Sequence, residues 1–326
     1  MARPCVARLV AVTAIKVNVD NFARAETDRM FHDFVQLAGG VNRLYHIRTP
    51  TPLDAQTVVR MNRDTLYSTA VVDVTSAASV TVPDTGDRYI SVSVVNEDHY
   101  INDIFHEPGT YPLSIDQFHT PYVSVNTRIL VDPNDPDDVA KVNALQDQLA
   151  ISATSAQAFE MPNYDTATLD ATRNGLLALS AGLDGYDRAF GRKSDVDPMR
   201  HLIGVAAGWG GLPETEAYYA NVDPGLPVGR YQLTVGPVPV DAFWSISVYN
   251  SQGYFEPSDT GAPSVNGITA QPNDDGSITV TFGGRPDDPN NLSIMEGWNY
   301  IVRLYRPRPE ALDGTWAFPS AAKTAP

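Results

Sequence analysis

Cysteine is almost missing from this sequence. Cys5 is the single cysteine among 326 residues. Its isolation excludes an intramolecular disulfide, a cysteine-based zinc site and a nucleophilic cysteine within the folded body. Avoidance of cysteine fits a cytoplasmic protein, and it fits a bacterial envelope protein equally well.

Long apolar runs and basic residues are scarce as well. No uninterrupted apolar stretch reaches the roughly 18 residues that a transmembrane helix needs. The sequence has 23 Lys and Arg residues and 39 Asp and Glu residues, so its net charge is -16. Because phosphate binding requires clustered Lys and Arg, this balance argues against nucleic acid as a partner. We therefore expect a small polar molecule as ligand, with no membrane span.

Several common motifs of enzymes are also absent. The sequence has no G-x-S-x-G elbow, P-loop, strand-linked G-x-G-x-x-G, H-E-x-x-H or EF-hand loop. The acidic run "DPNDPDD" at 132–138 resembles a set of calcium ligands. Its prolines and the apolar spacing that follows instead predict the start of a helix, with Asp135 as cap and Pro136 at the first helical position.

What the sequence does contain is a β-rich pattern interrupted by helices. A helix is predicted from Asn21 to the "AGG" at 38–40, and short β-branched and aromatic runs then extend to about residue 131. Further helices are predicted at 136, in "ATLDATRNGLLALSAGL" and in "DPMRHLIGVAAGWGG", where Asp197 and Pro198 form the start. We expect a β-domain at 18–135, a helical insert at 136–225, a second β-domain at 226–320 and a tail at 321–326.

The first 17 residues allow two interpretations. "MARPCVARLVAVTAIKV" has early arginines, a short apolar run and small residues. This composition fits an eroded signal peptide, and it fits a first β-strand equally well.

Two stretches of the N-terminal β-domain concentrate groups that can do chemistry. In "VVRMNRDTLYS" a regular strand places Arg60, Asn62 and Asp64 on one face, and in "SVVNEDHYIND" it places Glu97 and His99 on one face. A carboxylate beside an imidazole supplies general acid/base function or metal ligation, and an Arg fork binds a carboxylate or phosphate. The alternatives are a buried polar network and a solvated strand end running into a turn. The predicted catalytic residues are Arg63, Asp64, Glu97 and His99.

Further polar and aromatic residues are candidates for substrate binding. Trp209, with its neighbouring glycines, and the aromatic strands of the C-terminal domain can line a concave pocket. The alternative is that His201 is a satisfied core histidine and that the aromatic residues form sandwich core. The predicted substrate-binding residues are Arg60, Asn62, Tyr67, Tyr100, His201, Trp209, Tyr249 and Arg303.

Seven segments taken together resemble a known protein family. They are "VDNFARAETDRMF", "RMNRDTLYS", "VVNEDHY", "LVDPNDPDDV", "DPMRHLIGVAAGWGG", "FWSISVYNSQGYF" and "WNYIVRLYRPRPEALDGTW". In this order they resemble bacterial proteins that combine domain of unknown function 1254 with domain of unknown function 1214. The resemblance covers roughly residues 18–319 and implies two tandem antiparallel β-sandwiches of jelly-roll type, with helical additions, in a homo-oligomer such as a trimer or dimer. Export of some members favours a periplasmic or secreted location over the cytoplasm.

Two classes of function follow. In the first, the chain is a small-molecule enzyme in which Glu97 or Asp64 acts as general base, His99 as acid and an Arg as oxyanion-binding group, in a hydrolase-like reaction on a polar or carboxylated substrate. In the second, the chain is a non-catalytic double jelly roll for ligand binding or assembly, and its polar residues are clamps. No cofactor is expected, although a divalent metal at Glu97 and His99, with His106 as a further ligand, is a variant of the first hypothesis.

Overall fold

The computed structural model describes residues 13–56, 59–183 and 185–324. The predicted signal peptide or first strand at 1–17 lies mostly outside these residues, and so do the first residue of "VVRMNRDTLYS" and the last two residues of the tail. The fold is mainly β with added helices, as the sequence predicts.

The described residues form sixteen strands and six helices. The strands are β1 (Tyr45–His46), β2 (Thr65–Asp73), β3 (Ala78–Val82), β4 (Ile90–Asn96), β5 (Ile101–Phe105), β6 (Gly109–Leu113), β7 (Tyr122–Leu130), β8 (Ala150–Ala153), β9 (Ala217–Val222), β10 (Tyr231–Val235), β11 (Trp244–Tyr249), β12 (Ser264–Asn266), β13 (Ile278–Phe282), β14 (Asn291–Leu292), β15 (Asn299–Tyr305) and β16 (Ala322–Lys323). The helices are α1 (Phe22–Ala38), α2 (Ile115–Phe118), α3 (Pro136–Gln146), α4 (Thr166–Leu179), α5 (Pro198–Gly208) and α6 (Pro309–Leu312).

The N-terminal β-domain is a sandwich of two antiparallel sheets. One sheet has the order β1-β2-β7-β4-β5, and the other has the order β6-β3-β8. Val72, Val92 and Val125 of the larger sheet and Val80 of the smaller one belong to the same buried cluster, against which α3 also packs. Alternation of apolar and polar residues along these strands sends every second side chain into this core.

The C-terminal β-domain is a second sandwich with its own core. Its sheets have the orders β14-β13-β10-β16 and β12-β11-β15-β9, and all pairs are antiparallel except β13 with β14. Ile246, Val302, Phe282 and Trp298 are fully or almost fully buried in the cluster between them. Each sandwich therefore has an apolar interior that is independent of the other.

The helix starts lie where the sequence predicts them. Asp135 accepts a hydrogen bond from the backbone N–H of Asp137 at the start of α3, and Asp197 accepts from Met199 and Arg200 at the start of α5. A proline occupies the first turn in both cases. The acidic run at 132–138 is thus a helix start. At the start of α1, where the sequence predicts a helix from Asn21, the Asn21 side chain makes no capping hydrogen bond.

The segment at 136–225 contains strands as well as helices. β8 pairs with β3 of the N-terminal sandwich, and β9 pairs with β15 of the C-terminal sandwich. Helices α1, α4 and α5 pack on one another around Phe22, Leu169 and Ile203. Within the described chain, no helix is both long enough and apolar enough to cross a membrane.

Candidate functional site

The two sandwiches meet through sheet faces that are polar and yet buried. On β4 and β7 the residues that point away from the N-terminal core include Ser91, Ser93, Ser124 and Asn126, and all are buried. On β11 Ser245 and Ser247 point away from the C-terminal core and are also buried. Ser245 is covered by Asp64 of the loop that precedes β2. On the β4–β7 face, Trp209 packs near Val95, and the Gly210 carbonyl oxygen accepts from Arg128. These buried polar faces are thus covered in part by the segments that connect the two sandwiches.

Arg128 of β7 lies on this buried polar face, close to Tyr219 and Tyr305 of the C-terminal sandwich. In the sheet, Arg128 lies directly opposite Tyr67 of β2 on one side and Ser91 of β4 on the other. These three side chains therefore share one face of the sheet. The guanidinium lies over the Tyr67 ring at 5.6 Å, and its Nη2 donates to the carbonyl oxygen of Gly210 at 2.6 Å. We call the group around this arginine the interdomain cluster: Tyr67, Tyr89, Ser91, Arg128, Tyr219 and Tyr305.

Three donors of the interdomain cluster have no hydrogen-bond partner in the described chain. They are Nη1 of Arg128 and the hydroxyl groups of Tyr89 and Ser91, and all three atoms are buried. The two hydroxyls lie close to each other but do not form a geometrically sound hydrogen bond. An unmade buried hydrogen bond costs about 1–3 kcal/mol, and more for a charged group. Ser91 is the cross-strand neighbour of Arg128, and Tyr89 lies near both, so these donors indicate a place for an acceptor.

Three residues of the interdomain cluster are only half-buried, while the other three are buried. Tyr67, Arg128 and Tyr219 keep part of their surface accessible although protein atoms surround them densely. A cavity of about 110 Å³ reaches Tyr219, with walls that include Tyr186, Phe190 and Leu212. This cavity therefore reaches the Tyr219 edge of the cluster, and Arg128, Tyr89 and Ser91 do not line it.

The interdomain cluster carries positive charge inside an acidic protein. Burial lowers the pKa of Arg128, but the surrounding tyrosines more than offset this effect and the pKa is raised overall. Burial raises the pKa of Tyr89, Tyr219 and Tyr305, so these phenols are neutral at physiological pH. A cationic group among neutral donors favours an anion, and a carboxylate matches the planar guanidinium.

Beside the interdomain cluster, the loop that precedes β2 is fixed to the C-terminal sheet by a second set of residues. Asp64 accepts hydrogen bonds from Ser245 Oγ at 2.6 Å and from Asn266 Nδ2 at 3.4 Å. Arg303 donates to Ser247 Oγ at 2.9 Å, to Tyr249 Oη at 2.8 Å and to the Arg60 carbonyl oxygen at 2.9 Å. We call this set the clamp: Asp64, Ser245, Ser247, Tyr249, Asn266 and Arg303.

The charged groups of the clamp are buried and hydrogen-bonded. Burial raises the pKa of Asp64, although Arg303, Ser245 and Asn266 act in the opposite direction. Burial lowers the pKa of Arg303, but Tyr249, Tyr305 and Asp64 raise it by more. The clamp thus joins predicted catalytic Asp64 to predicted substrate-binding Tyr249 and Arg303. Its side chains hold one another, which is what a structural role requires.

The other residues predicted in "RMNRDTLYS" lie around the clamp and the interdomain cluster. These residues precede β2 and do not form a regular strand, so the expected alternation of faces from Arg60 to Asp64 is wrong. Asn62 donates to Tyr305 Oη at 2.9 Å and to Tyr67 Oη at 3.2 Å. Arg60 is exposed and donates to Asn221 Oδ1 at 3.2 Å, whereas Arg63 donates to the Thr51 carbonyl oxygen.

The second stretch, 96–100, is also a turn rather than a strand. The Asn96 side-chain oxygen accepts from the backbone N–H groups of Asp98 at 3.0 Å and Tyr100 at 2.9 Å, and His99 has a left-handed φ of 66°. This turn gives Glu97 and His99 different partners. The expectation that both lie on one strand face is therefore wrong, because the Asn96 side chain ends the strand.

Glu97 lies in a cluster of acidic residues near α1. Burial raises its pKa to about 7, and it raises the pKa of Asp28 to about 6. Glu97 accepts from the Tyr122 backbone N–H at 3.3 Å, and Asp28 accepts from Tyr164 Oη at 2.7 Å. Both carboxyl groups therefore exchange protons near neutral pH, while Arg24 forms an ion pair with the neighbouring Asp98 at 2.7 Å.

His99 lies among aromatic rings behind the interdomain cluster. It is fully buried, with the rings of His201, Trp209 and Phe190 at 5.5, 5.3 and 6.0 Å. Its Nε2 accepts from the Gly210 N–H at 2.8 Å. Tyr100 stacks on His201 at 4.6 Å. His99, Tyr100, His201 and Trp209 are thus brought together in one group.

A metal site receives no support from the described residues, since none of their His, Cys, Asp and Glu side chains form a group of three or more that could hold an ion. His106 lies elsewhere, with Nε2 at 2.8 Å from Glu216 Oε2 and Nδ1 at 2.7 Å from the Ile90 carbonyl oxygen. It does not join Glu97 and His99.

Comparisons with known proteins agree with the predicted domain combination. Residues 41–112 match the family described as "Protein of unknown function (DUF1254)", and residues 224–309 match "Protein of unknown function (DUF1214)". The chain combines a DUF1254 region with a DUF1214 region. This prediction is therefore confirmed.

The chain is similar to two solved structures, and the first of them shows a shared fold. The VPA0106 protein from Vibrio parahaemolyticus is 18% identical, with a TM-score of 0.70, over 95% of this chain and 100% of its own. An uncharacterized protein from Burkholderia cenocepacia is 16% identical, with a TM-score of 0.49, over 89% of this chain and 84% of its own. No curated protein matches the chain.

The interdomain cluster draws on both matched regions. Tyr67, Tyr89 and Ser91 belong to the DUF1254 region, and Tyr305 belongs to the DUF1214 region. Arg128 and Tyr219 lie outside both. Of these six residues, the sequence analysis selected Tyr67 alone. The available signal was a charged residue at an alternating position within "YVSVNTRIL", opposite serines at alternating positions of "YISVSVV".

Proposed function

We propose that this protein binds a small carboxylated molecule between its two β-sandwiches, with Arg128 as the anion-binding group. The observation that carries this proposal is the convergence of three unpartnered buried donors, from Arg128, Tyr89 and Ser91. A carboxylate oxygen is an acceptor that satisfies such donors, and the guanidinium compensates its charge. The tyrosine rings around the site supply flat walls for the rest of the ligand.

Ligand-induced stabilisation tests this proposal directly. We expect acetate, succinate or benzoate, added at constant ionic strength against chloride, to raise the melting temperature of the wild type. A ligand at 100 times its Kd stabilises the folded state by about 2.7 kcal/mol. Arg128→Met is expected to abolish the response, whereas Arg308→Met, which alters an exposed arginine paired with Asp241, keeps it. An unchanged response in Arg128→Met contradicts the proposal.

Hydrolase-like chemistry is a second candidate function. The observation in its favour is that Glu97 and Asp28 are buried carboxyl groups with pKa values of about 7 and 6, in the range that suits general acid/base catalysis at neutral pH. Hydrolysis of a panel of small carboxylate esters, compared between wild type and Glu97→Gln, tests it. Equal rates in both proteins argue against a catalytic Glu97.

We also propose a finer architecture for the protein, with a jelly roll in each sandwich and several chains in one assembly. Two sandwiches with separate cores are compatible with a jelly-roll topology in each. We also propose that the chain forms a homo-oligomer, either a dimer or a trimer. Light scattering coupled to size-exclusion chromatography measures the mass of the assembly. A mass equal to one chain of 35.4 kDa would reject the oligomer.

A further inference from the structure

Gly210 connects a buried histidine to the arginine of the interdomain cluster. Its backbone N–H donates to His99 Nε2 at 2.8 Å, and its carbonyl oxygen accepts from Arg128 Nη2 at 2.6 Å. Gly210 has a φ of 75°, a left-handed conformation that glycine adopts without strain. One residue of backbone thus has its donor fixed by His99 and its acceptor fixed by Arg128.

We propose that His99 is a positioning residue that orients Arg128 through the Gly210 backbone, by acting as a neutral hydrogen-bond acceptor. This inference rests on the proposed function, in which the remaining guanidinium nitrogen, Nη1, binds the ligand. With Nη2 held by Gly210, Nη1 is left without a partner in the described chain and is available to an acceptor.

The contacts of His99 define its tautomer. Because Nε2 accepts from Gly210, the proton of the neutral ring must be on Nδ1. Nδ1 is buried and has no partner in the described chain, so the ring gives up one hydrogen bond in order to offer Nε2 to Gly210. A proton on Nε2 would place two N–H groups against each other and break the contact.

The surroundings of His99 disfavour the charged ring. Burial, and then His201 of α5, lower its pKa well below the usual 6.5. The groups that face it from the loop after α5 and from 185–191 are the uncharged rings of Trp209 and Phe190. The charged groups of its own turn are Glu97, which accepts from the Tyr122 N–H, and Asp98, which pairs with Arg24. The charged group from β7 is the positive Arg128. His99 therefore stays an acceptor at neutral pH.

Two substitutions separate positioning from general stability. His99→Gln carries an oxygen near the place of Nε2 and keeps an acceptor, whereas His99→Leu has none. Neither Gln nor Leu favours the left-handed conformation that residue 99 adopts, so the backbone strain is similar in the two variants. Loss of one hydrogen bond corresponds to about tenfold in an equilibrium constant at most. We expect His99→Leu to weaken benzoate binding by about that factor, and His99→Gln to stay near the wild type.

Nuclear magnetic resonance supplies readouts that need no ligand. In the wild type the His99 nitrogens are expected to show protonated Nδ1 and unprotonated Nε2 from pH 6 to pH 8. The Gly210 amide and the Arg128 side-chain signals are expected to shift in His99→Leu and to return toward wild-type positions in His99→Gln. A protonated Nε2 in the wild type overturns the inference, even where His99→Leu does not fold.

The outcomes distinguish this inference from the proposed function. If benzoate, acetate and succinate all fail to bind the wild type while the Gly210 and Arg128 signals respond as expected, the proposed ligand fails and the positioning role stands. If a probe binds and its affinity is the same in His99→Leu, with unshifted Gly210 and Arg128 signals, the positioning role is overturned and the ligand site stands.

Discussion

Glu97 shows how burial of a single carboxyl group controls the dependence of stability on pH. Its pKa of about 7 lies above the ordinary 4.5, so the folded state favours the protonated form. The associated stability is complete below pH 4.5 and is lost as the pH rises through 7, by at most about 3 kcal/mol for a shift of this size. We therefore expect Glu97→Gln to be more stable than the wild type at pH 8 and about equal at pH 4.

Urea denaturation from pH 4 to pH 8 measures this difference. Part of the change in the free energy of unfolding with pH will remain in Glu97→Gln, because burial also raises the pKa of Asp28 to about 6. Glu107→Gln, which alters an exposed carboxyl group, serves as the matched control and should leave the profile unchanged. Parallel profiles for wild type and Glu97→Gln would show that the pKa of Glu97 is the same in the folded and unfolded states.

Helix starts were predictable element by element, while strand ends were not. The caps of α3 and α5 depend on Asp135 and Asp197 with the following proline, which is a local pattern that sequence displays directly. The end of β4 depends on the Asn96 side chain folding back on its own backbone, which the alternation of "SVVNEDHY" does not reveal. For that reason the expected pairing of Glu97 with His99 is wrong: Glu97 lies near Asp28 and Asp98, and His99 lies among aromatic rings.

The segment after α5 makes a prediction about close packing. A Cβ on Gly211 would lie 2.6 Å from two ring atoms of Phe190, whereas a Cβ on Gly208 would lie 3.8 Å from that ring. Overpacking of this kind costs about 1–3 kcal/mol, and Ala in place of a helical Gly gains up to about 1 kcal/mol. Thermal melts should show Gly211→Ala destabilised and Gly208→Ala unchanged or stabilised. Equal melting temperatures would mean that the Phe190 ring moves without cost.

At the scale of the molecule, the sequence predicted two β-domains but not how they meet. Alternating polar residues on β4, β7 and β11 are ordinarily typical of a face in water. Here Ser91, Ser93 and Ser245 are buried, and the loop before β2 and the segment after α5 lie over parts of these faces. Sequence periodicity reports which side of a strand is polar, and it does not report whether water or another polar surface lies opposite. The interdomain cluster was missed for this reason.

The clamp leads to a prediction about cooperativity. Arg303 and Asp64 join the two sandwiches through buried hydrogen bonds, and a buried group left without its hydrogen-bond partner costs about 1–3 kcal/mol, and more when the group is charged. We expect the wild type to unfold in one calorimetric transition and Arg303→Met to unfold in two, because each sandwich keeps its own apolar core. The double variant Arg303→Met with Asp64→Asn removes both charges and should recover part of the lost stability, while exposed Arg308→Met should resemble the wild type. If Arg303→Met keeps a single transition at the wild-type temperature, the clamp does not couple the sandwiches, and the apolar contacts between Tyr89, Phe243 and Tyr305 must hold them together instead.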